Sequence, residues 1–291
     1  MPPVSRITLI GVGLIGGSFV LDLKRQQPAL TVTGIDTDPA NLERALERRV
    51  IDRAFAHISA PSVRGADLVL LATPVATLGA VCQALAPLLD ADTTVSDVGS
   101  TKRSALAAFA QHLPQQLPHC VAAHPIAGSD RSGAAAARFG LFQNKKLVLC
   151  PHEQQDPGSL KTVETLWQAV GAQTCRMSAA EHDAVFAAVS HLPHLLAFAY
   201  VHQLLDDARR DRYFRFAGSG FRDFTRIAAS HPQMWTDIAL ENRKPLLDLI
   251  ARQQTQLATL QQALADNNAA ALHDFFAAAA AARRKWEEES G

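Results

Sequence analysis

The sequence predicts an α/β fold: a doubly wound, mainly parallel sheet followed by an all-α C-terminal domain. Three observations lead there. Over the first 175 residues, short β-branched runs alternate with segments of helical period, as in a parallel sheet covered on both faces. A glycine-rich turn, Gly11-Val12-Gly13-Leu14-Ile15-Gly16, joins the first such run to the first such helix. After Cys175 no convincing strand remains, and alanine and leucine dominate.

Strands are expected at 6–10, 31–35, 68–72, 94–96, 120–123, 147–150 and 173–176. They are continuous apolar runs rather than alternating ones, which burial on both faces requires. Between most of them, helical period marks 14–26, 39–49, 75–88, 102–112 and 159–170. Ser178-Ala179-Ala180-Glu181 has the form of a capping box, so a long helix should start there and run to about Asp207. Pro193 removes one backbone donor and is expected to kink it. Gly218-Ser219-Gly220 breaks the pattern; helices resume around Asp223 and over 231–243, 245–264 and 268–285. The domain boundary is expected near residue 175, giving a dinucleotide-binding domain at 1–175 and a helical domain at 176–291.

Composition narrows the function. The chain has 291 residues, 48% hydrophobic and 19% charged, which excludes a mainly disordered protein. Lys plus Arg and Asp plus Glu both number 28, so neither nucleic acid nor an anionic membrane is an expected partner. A small-molecule ligand is. Cys82, Cys120, Cys150 and Cys175 form no CxxC or CxxH pair, so neither a zinc ribbon nor a redox dithiol is expected. The apolar run at 7–17 resembles a signal peptide only superficially, because its glycines suit a tight turn. No run of 18 uninterrupted apolar residues occurs, and no spanning helix is expected. These features suggest a reduced, soluble, cytoplasmic protein.

The glycine turn is GxGxxG between a strand and a helix, the Rossmann-type arrangement. Gly11 permits the turn, Gly13 lets the backbone approach a pyrophosphate, and Gly16 lets helix and strand pack closely. The helix N-terminus then supplies free N–H groups and a favourable dipole. Asp36 ends the second strand, 20 residues beyond Gly16, where a carboxylate accepts from ribose hydroxyls and repels a 2′-phosphate. No Arg or Lys follows in Asp36-Thr37-Asp38-Pro39, so NAD is favoured over NADP. Asp38, just before Pro39, is the better helix cap.

Chemistry needs a base near the hydride donor. His124, in His124-Pro125-Ile126-Ala127-Gly128-Ser129-Asp130, ends a predicted strand, and the carboxyl ends of such strands are where ligands bind. A histidine satisfied by loop carbonyls is the competing reading. Ser100, in Asp97-Val98-Gly99-Ser100-Thr101-Lys102, closes another strand as a hydrogen-bond donor, a helix N-cap, or both. His191 and His194 lie three apart on one helix face, which is not the zincin spacing, and no metal is expected. Gly218-Ser219-Gly220-Phe221-Arg222-Asp223-Phe224-Thr225-Arg226 suits capture of a dicarboxylate, since Arg binds carboxylate bidentately; a solvated charged turn is the plainer reading. Trp235 either walls a pocket or fills a helical core.

In order along nearly the whole chain, five blocks resemble the prephenate dehydrogenase family, whose members are also called cyclohexadienyl or arogenate dehydrogenases by substrate preference. The blocks are the glycine turn at 11–17, Asp97-Val98-Gly99-Ser100, His124-Pro125-Ile126-Ala127-Gly128, Ser190-His191-Leu192-Pro193-His194 and Asp223-Phe224-Thr225-Arg226-Ile227-Ala228. The resemblance implies NAD-dependent oxidative decarboxylation of prephenate to 4-hydroxyphenylpyruvate, on the tyrosine route, with arogenate as an alternative substrate. It implies that His124 takes the C4 hydroxyl proton while Ser100 orients that histidine and the nicotinamide. Arg226 would bind a substrate carboxylate, with His194, Ser129 and Ser219 near the substrate. Asp130, Asp223 and His182 would form a charged network at the pocket mouth. Cofactor contacts are expected from Gly11, Gly13, Leu14, Ile15, Gly16, Asp36, Thr73 and Pro74. A homodimer through the helical domain is also implied. Ser219 stands where the family often has a glycine, which weakens any reading of substrate preference from that loop. No regulatory module is expected after the helical domain, so tyrosine would be expected to inhibit by competition in the pocket. Two rivals remain: another NAD-dependent hydroxyacid dehydrogenase or imine reductase, and a non-catalytic NAD-sensing module.

Overall fold

Residue Arg6 is exposed and the next four positions of its strand are buried, and the strand at 31–35 repeats that pattern. Such runs can be buried only in the middle of a sheet covered on both sides. The computed structural model describes residues 4–129 and 131–290. Its sheet is built from β1 (Arg6–Ile10), β2 (Thr31–Ile35), β3 (Arg53–Phe55), β4 (Leu68–Leu71), β5 (Thr94–Asp97), β6 (Cys120–Pro125), β7 (Lys146–Cys150) and β8 (Gln173–Arg176). The order is β3-β2-β1-β4-β5-β6-β7-β8, parallel throughout except where β6 meets β7. The chain reverses direction across the sheet between β1 and β4, so the crevice at their carboxyl ends is the natural ligand position.

Helices α1 (Leu14–Gln26), α2 (Pro39–Glu47), α3 (Ala60–Val63), α4 (Leu78–Leu85), α5 (Lys102–His112) and α6 (Pro157–Ala169) cover the sheet. One face packs around Phe19, Phe142 and Trp167, with Phe19 and Trp167 ring centroids 4.3 Å apart. The other packs around Leu71, Leu85 and Phe109. The seven predicted strands are present. The eighth, β3, was not foreseen: three residues beginning with an exposed arginine at a sheet edge are too short to carry a period. Helix α2 stops at Glu47, short of the predicted residue 49, because Arg49 takes a left-handed φ of 56°.

The helical part comprises α7 (Ala179–Phe186), α8 (Leu192–Leu205), α9 (Arg210–Arg215), α10 (Ser219–Thr225), α11 (Pro232–Glu241), α12 (Arg243–Ala265) and α13 (Ala269–Ser290). The Ser178 hydroxyl accepts from Glu181 N at 3.1 Å, which is the serine half of the predicted capping box. Instead of a simple kink at Pro193, the five residues Ala187–His191 wind as a π-helix between α7 and α8. Pro193 has no N–H to give the preceding turn, and a widened turn absorbs the deficit. Gly218 caps α10, so Gly218-Ser219-Gly220 begins a helix where a break was expected. Helix α9 is a short charged segment that carries no apolar period.

Packing divides the chain into two compact units, one ending at Arg243 and the other beginning at Lys244. Helices α7 to α11 thus belong with the sheet, and α12 and α13 form the second unit. The stretch Ala179–Leu205 is long enough and on average apolar enough to cross a bilayer, by length and composition only, where no spanning helix is expected from the sequence. That expectation asked for an uninterrupted run, and this stretch is apolar only on average. Its charged start is tied to the N-terminus of α5: the Asp183 carboxylate accepts from the backbone N–H groups of Lys102 and Arg103 at 2.8 and 3.0 Å.

Candidate active site

The dinucleotide cradle comes directly from glycine geometry. Gly11 has φ +87°, and a Cβ there would lie 2.5 Å from the Ala72 carbonyl oxygen. A Cβ on Gly16 would lie 2.4 Å from Leu9 Cδ1. A Cβ on Gly13 would meet nothing within 4 Å, so that position faces open space where a pyrophosphate can approach. Helix α1 starts there with no side-chain cap and no acidic residue in its first turn, leaving its amides for an anion. Leu14 is buried and Ile15 half-buried behind the turn.

Asp36 fixes the turn from the next strand. Its carboxylate accepts from Val12 N at 3.0 Å, Asn41 Nδ2 at 2.9 Å and Asp38 N at 3.0 Å. A carboxylate offers about four acceptor positions, so capacity remains for a ribose hydroxyl. Asp38 caps α2 by accepting from Ala40 N at 2.9 Å. Just beyond β4, the Thr73 hydroxyl is buried without a hydrogen-bond partner. A buried hydroxyl left orphaned beside an open cradle fits a bound dinucleotide. Pro74, next to it, is exposed.

The ends of β5 and β6 carry a buried polar network. Asp97 pairs with the fully buried ammonium of Lys102, which also donates to the Ala123 carbonyl. Asp97 accepts further from Gly99 N at 2.8 Å and Ala123 N at 3.1 Å. These bonds lock the 97–102 loop to the strand that presents His124. The half-buried His124 places Nδ1 2.8 Å from His182 Nε2, and His182 places Nδ1 2.8 Å from the Asp183 carboxylate. His124 and His182 both pack against Phe186, at ring-centroid distances of 4.9 and 4.5 Å.

Burial, followed by the charge of Lys102, holds His124 well below its ordinary pKa, so it is a neutral imidazole at neutral pH. Burial also lowers His182, against the opposing pull of Asp183. For Asp183, burial acts upward, but bonds from His182, Lys102 and Arg103 outweigh it and hold the carboxyl below its usual range. Burial pushes the thiols of Cys82 and Cys150 up to about 12 and raises that of Cys120 as well, so these three offer no competing nucleophile.

The second polar group lies on the helices. His194 donates from Nδ1 to the Ser190 carbonyl at 2.8 Å and stacks on Trp235, with ring centroids 3.6 Å apart and 20° between planes. Trp235 is buried with its indole N–H unpartnered. Burial lowers the His194 pKa; the bond to the Ser190 carbonyl opposes this, and the charge of Arg226 adds to the lowering. His191 differs from its neighbour in the motif. It is buried, its Nδ1 lies 3.0 Å from Asn242 Nδ2, and burial takes its pKa down to about 4.

Several expected roles shift. His182, expected at the pocket mouth, is fully buried, because its two nitrogens are spent between His124 and Asp183. Ser100 is not the N-cap of α5; Thr101 holds that place, and Asp183 supplies the capping oxygens. Nor is Ser100 the partner at His124 Nδ1, which is His182. Arg226, Asp223, Ser129 and Ser219 are all exposed. Ser129 accepts from Arg131 N at 3.1 Å, and Ser219 is the first residue of α10. Asp130 lies outside the described residues. Sequence reasoning missed Asp183 and the Lys102–Asp97 pair. The available signal for Asp183 was a second titratable residue beside His182 in a newly capped helix.

Fold and site together define a dinucleotide-linked dehydrogenase with an imidazole at the carboxyl end of β6. Residues 19–176 match the family described as prephenate dehydrogenase, nucleotide-binding domain, and residues 178–278 match the prephenate dehydrogenase dimerization domain. The chain belongs to the prephenate dehydrogenase family. It is 39% identical to the prephenate dehydrogenase of Bacillus subtilis over 83% of this chain, and it spans 65% of that protein's length. It is 34% identical to the cyclohexadienyl dehydrogenase of Zymomonas mobilis, covering 92% of this chain and 91% of that one. Among solved structures, a prephenate dehydrogenase from A. aeolicus, in complex with hydroxyphenyl propionate and NAD+, superposes with a TM-score of 0.90 at 33% identity, over 97% of this chain and 98% of that one. Synechocystis arogenate dehydrogenase gives 0.78 at 27% identity, over 97% and 99%.

Proposed function

We propose that this protein catalyses the NAD-dependent oxidative decarboxylation of prephenate to 4-hydroxyphenylpyruvate, a step of tyrosine biosynthesis. The observation that carries the reading is a neutral, half-buried imidazole, His124, held at the carboxyl end of β6 in the same sheet as a dinucleotide cradle. The related structure with NAD+ and a hydroxyphenyl acid supports it.

NAD, when bound, supplies the acceptor for the hydride that leaves ring C4. Gly11, Gly13 and Gly16 shape its pyrophosphate site, with Leu14 and Ile15 at the helix start, Thr73 and Pro74 beside it, and Asp36 for the ribose. The Asp36 carboxylate would repel a 2′-phosphate, which favours NAD over NADP. His124 Nε2 takes the C4 hydroxyl proton as the C4 carbonyl forms. The electron pair of the bond to the ring carboxylate moves into the ring, CO2 leaves, and the aromatic phenolate so formed takes the proton back from His124. Aromatisation drives the reaction downhill, so the protein's task is positioning. Arg226 binds one carboxylate of the dianion, His194 lies beside the side chain, and Ser100 hydrogen-bonds at the hydroxyl end. Ser129 and Ser219 border the substrate, and Asp130 and Asp223 serve the mouth.

The helical segment that follows residue 175 is the substrate-binding and dimer-forming part, a division supported by the two matched ranges. Unpaired buried thiols suit a reducing, cytoplasmic setting. A broader cyclohexadienyl activity, accepting arogenate as well, is favoured by the Zymomonas mobilis relative.

The test is prephenate-dependent NADH formation, with CO2 released in equal amount. His124→Ala should retain NAD binding while turnover falls about 10²–10⁴-fold. Unchanged turnover in that variant removes His124 as the base, and activity on simple hydroxyacids alone removes the substrate assignment.

A further inference from the structure

Beneath the reacting face of His124 lies a hydrogen-bonded chain that proton abstraction alone does not require. It runs from His124 Nδ1 to His182 Nε2 at 2.8 Å, and from His182 Nδ1 to Asp183 Oδ1 at 2.8 Å. His182 is wholly buried and Asp183 nearly so. Asp183 is pinned in turn by Lys102 N at 2.8 Å and Arg103 N at 3.0 Å, and its own backbone carbonyl accepts from Asn242 Nδ2 at 2.8 Å.

We propose that His182 and Asp183 are positioning residues for the base: they fix its tautomer, aim its Nε2 lone pair outward and stabilise the imidazolium that forms. This deepens the proposed function and rests on His124 being the base. The polarity of the chain follows from its end. Asp183 is ionised and can only accept, so His182 carries its proton on Nδ1 and presents Nε2 as an acceptor. His124 must then donate from Nδ1, which leaves Nε2 unprotonated. When Nε2 takes the substrate proton, the positive charge on His124 is one imidazole away from a carboxylate, and no second proton need move.

Other charged and titratable groups bear on this base. Lys102 and His191 act against its protonation, and Lys102 is itself neutralised by Asp97. Asp183 is the uncompensated anion of the cluster. Removing its charge should make the imidazolium costlier, weaken the base and move the acid limb of activity to lower pH.

Three variants separate the roles. Asp183→Asn removes the charge but also disturbs the α5 cap. His182→Asn keeps an amide N–H where Nδ1 stood, so the Asp183 bond and the cap survive while the bond to His124 is cut. His182→Gln places its amide oxygen near the Nε2 position, restoring an acceptor for His124. Profiles of kcat against pH, with prephenate and NAD, are read beside NAD binding and thermal melting. We expect kcat to fall about 10–100-fold in Asp183→Asn and His182→Asn, with the acid limb displaced to lower pH and KM values within about threefold. His182→Gln should recover a substantial part of the loss. If Asp183→Asn fails to bind NAD, the two His182 variants decide. Plateau rates within about threefold of wild type, an unmoved limb, or equal losses in the two His182 variants would overturn the proposal. His124→Ala measured in parallel keeps the failures apart: if it too is fully active, the base assignment falls, and if only it is dead, the positioning role of His182 and Asp183 falls alone.

Discussion

Arg226 is exposed yet lies close enough to His194 for its charge to lower that imidazole's pKa. No carboxylate of the described residues pairs with its guanidinium, so it is available to an incoming anion. Arg226→Ala should raise the KM for prephenate at least about tenfold while that for NAD stays within about twofold, because one charge-assisted bidentate contact is lost. Initial-rate measurements with each substrate varied in turn check this, and an equal rise in both would point to a folding defect. At this scale, the residues proposed to face a ligand were legible, because His124 and Arg226 stand in distinctive local strings. Residues that face other residues were not. His182 lies 58 positions from His124, and only the fold decides that a capped helix brings them to 2.8 Å.

Glycine roles belong to the element scale, where one motif contains two opposite tolerances. Gly11→Ala forces a side chain into a left-handed backbone and against the Ala72 carbonyl, so it should lower the melting temperature as well as NAD affinity. Gly13→Ala meets no protein atom, so the fold should melt as wild type while the dissociation constant for NAD rises about tenfold or more. Melting curves and NAD titrations distinguish the two, and a Gly13→Ala protein with normal NAD affinity would show that the pyrophosphate lies elsewhere. Element types read well where burial imposed a period, as in the seven predicted strands. They read poorly at β3, α9 and the π-helix before Pro193, where three to six residues take their shape from neighbours rather than from their own pattern.

For the molecule as a whole, the surface that remains after the first unit packs is the informative part. Val189 is 67% exposed and Phe216 76%, and Leu205, Phe214 and Phe224 are also exposed. Tyr200, Phe214, Phe221 and Phe224 touch in an aromatic cluster, with ring centroids 5.6 to 6.0 Å apart. Beside it opens a cavity of about 830 Å³ bordered by Tyr200, Tyr213, Phe216 and Phe221. Exposed aromatic side chains grouped in this way suit an interaction surface, although Asp207, Arg209 and Arg212 also border the cavity, and they fall within the range that matches the dimerization domain. The apolar pattern of these helices was legible in the sequence. Which of their faces would remain uncovered was not, since that depends on where α7 to α11 dock on the sheet. We therefore expect a homodimer by sedimentation velocity at micromolar concentration. Phe216→Glu combined with Phe224→Glu should shift it toward monomer, because each copy would bring both carboxylates into an apolar contact. NAD binding should persist in that variant, since the cradle is built from β1, β2 and β4 of a single chain. A wild-type protein that sediments as a monomer would leave this aromatic surface to some other partner.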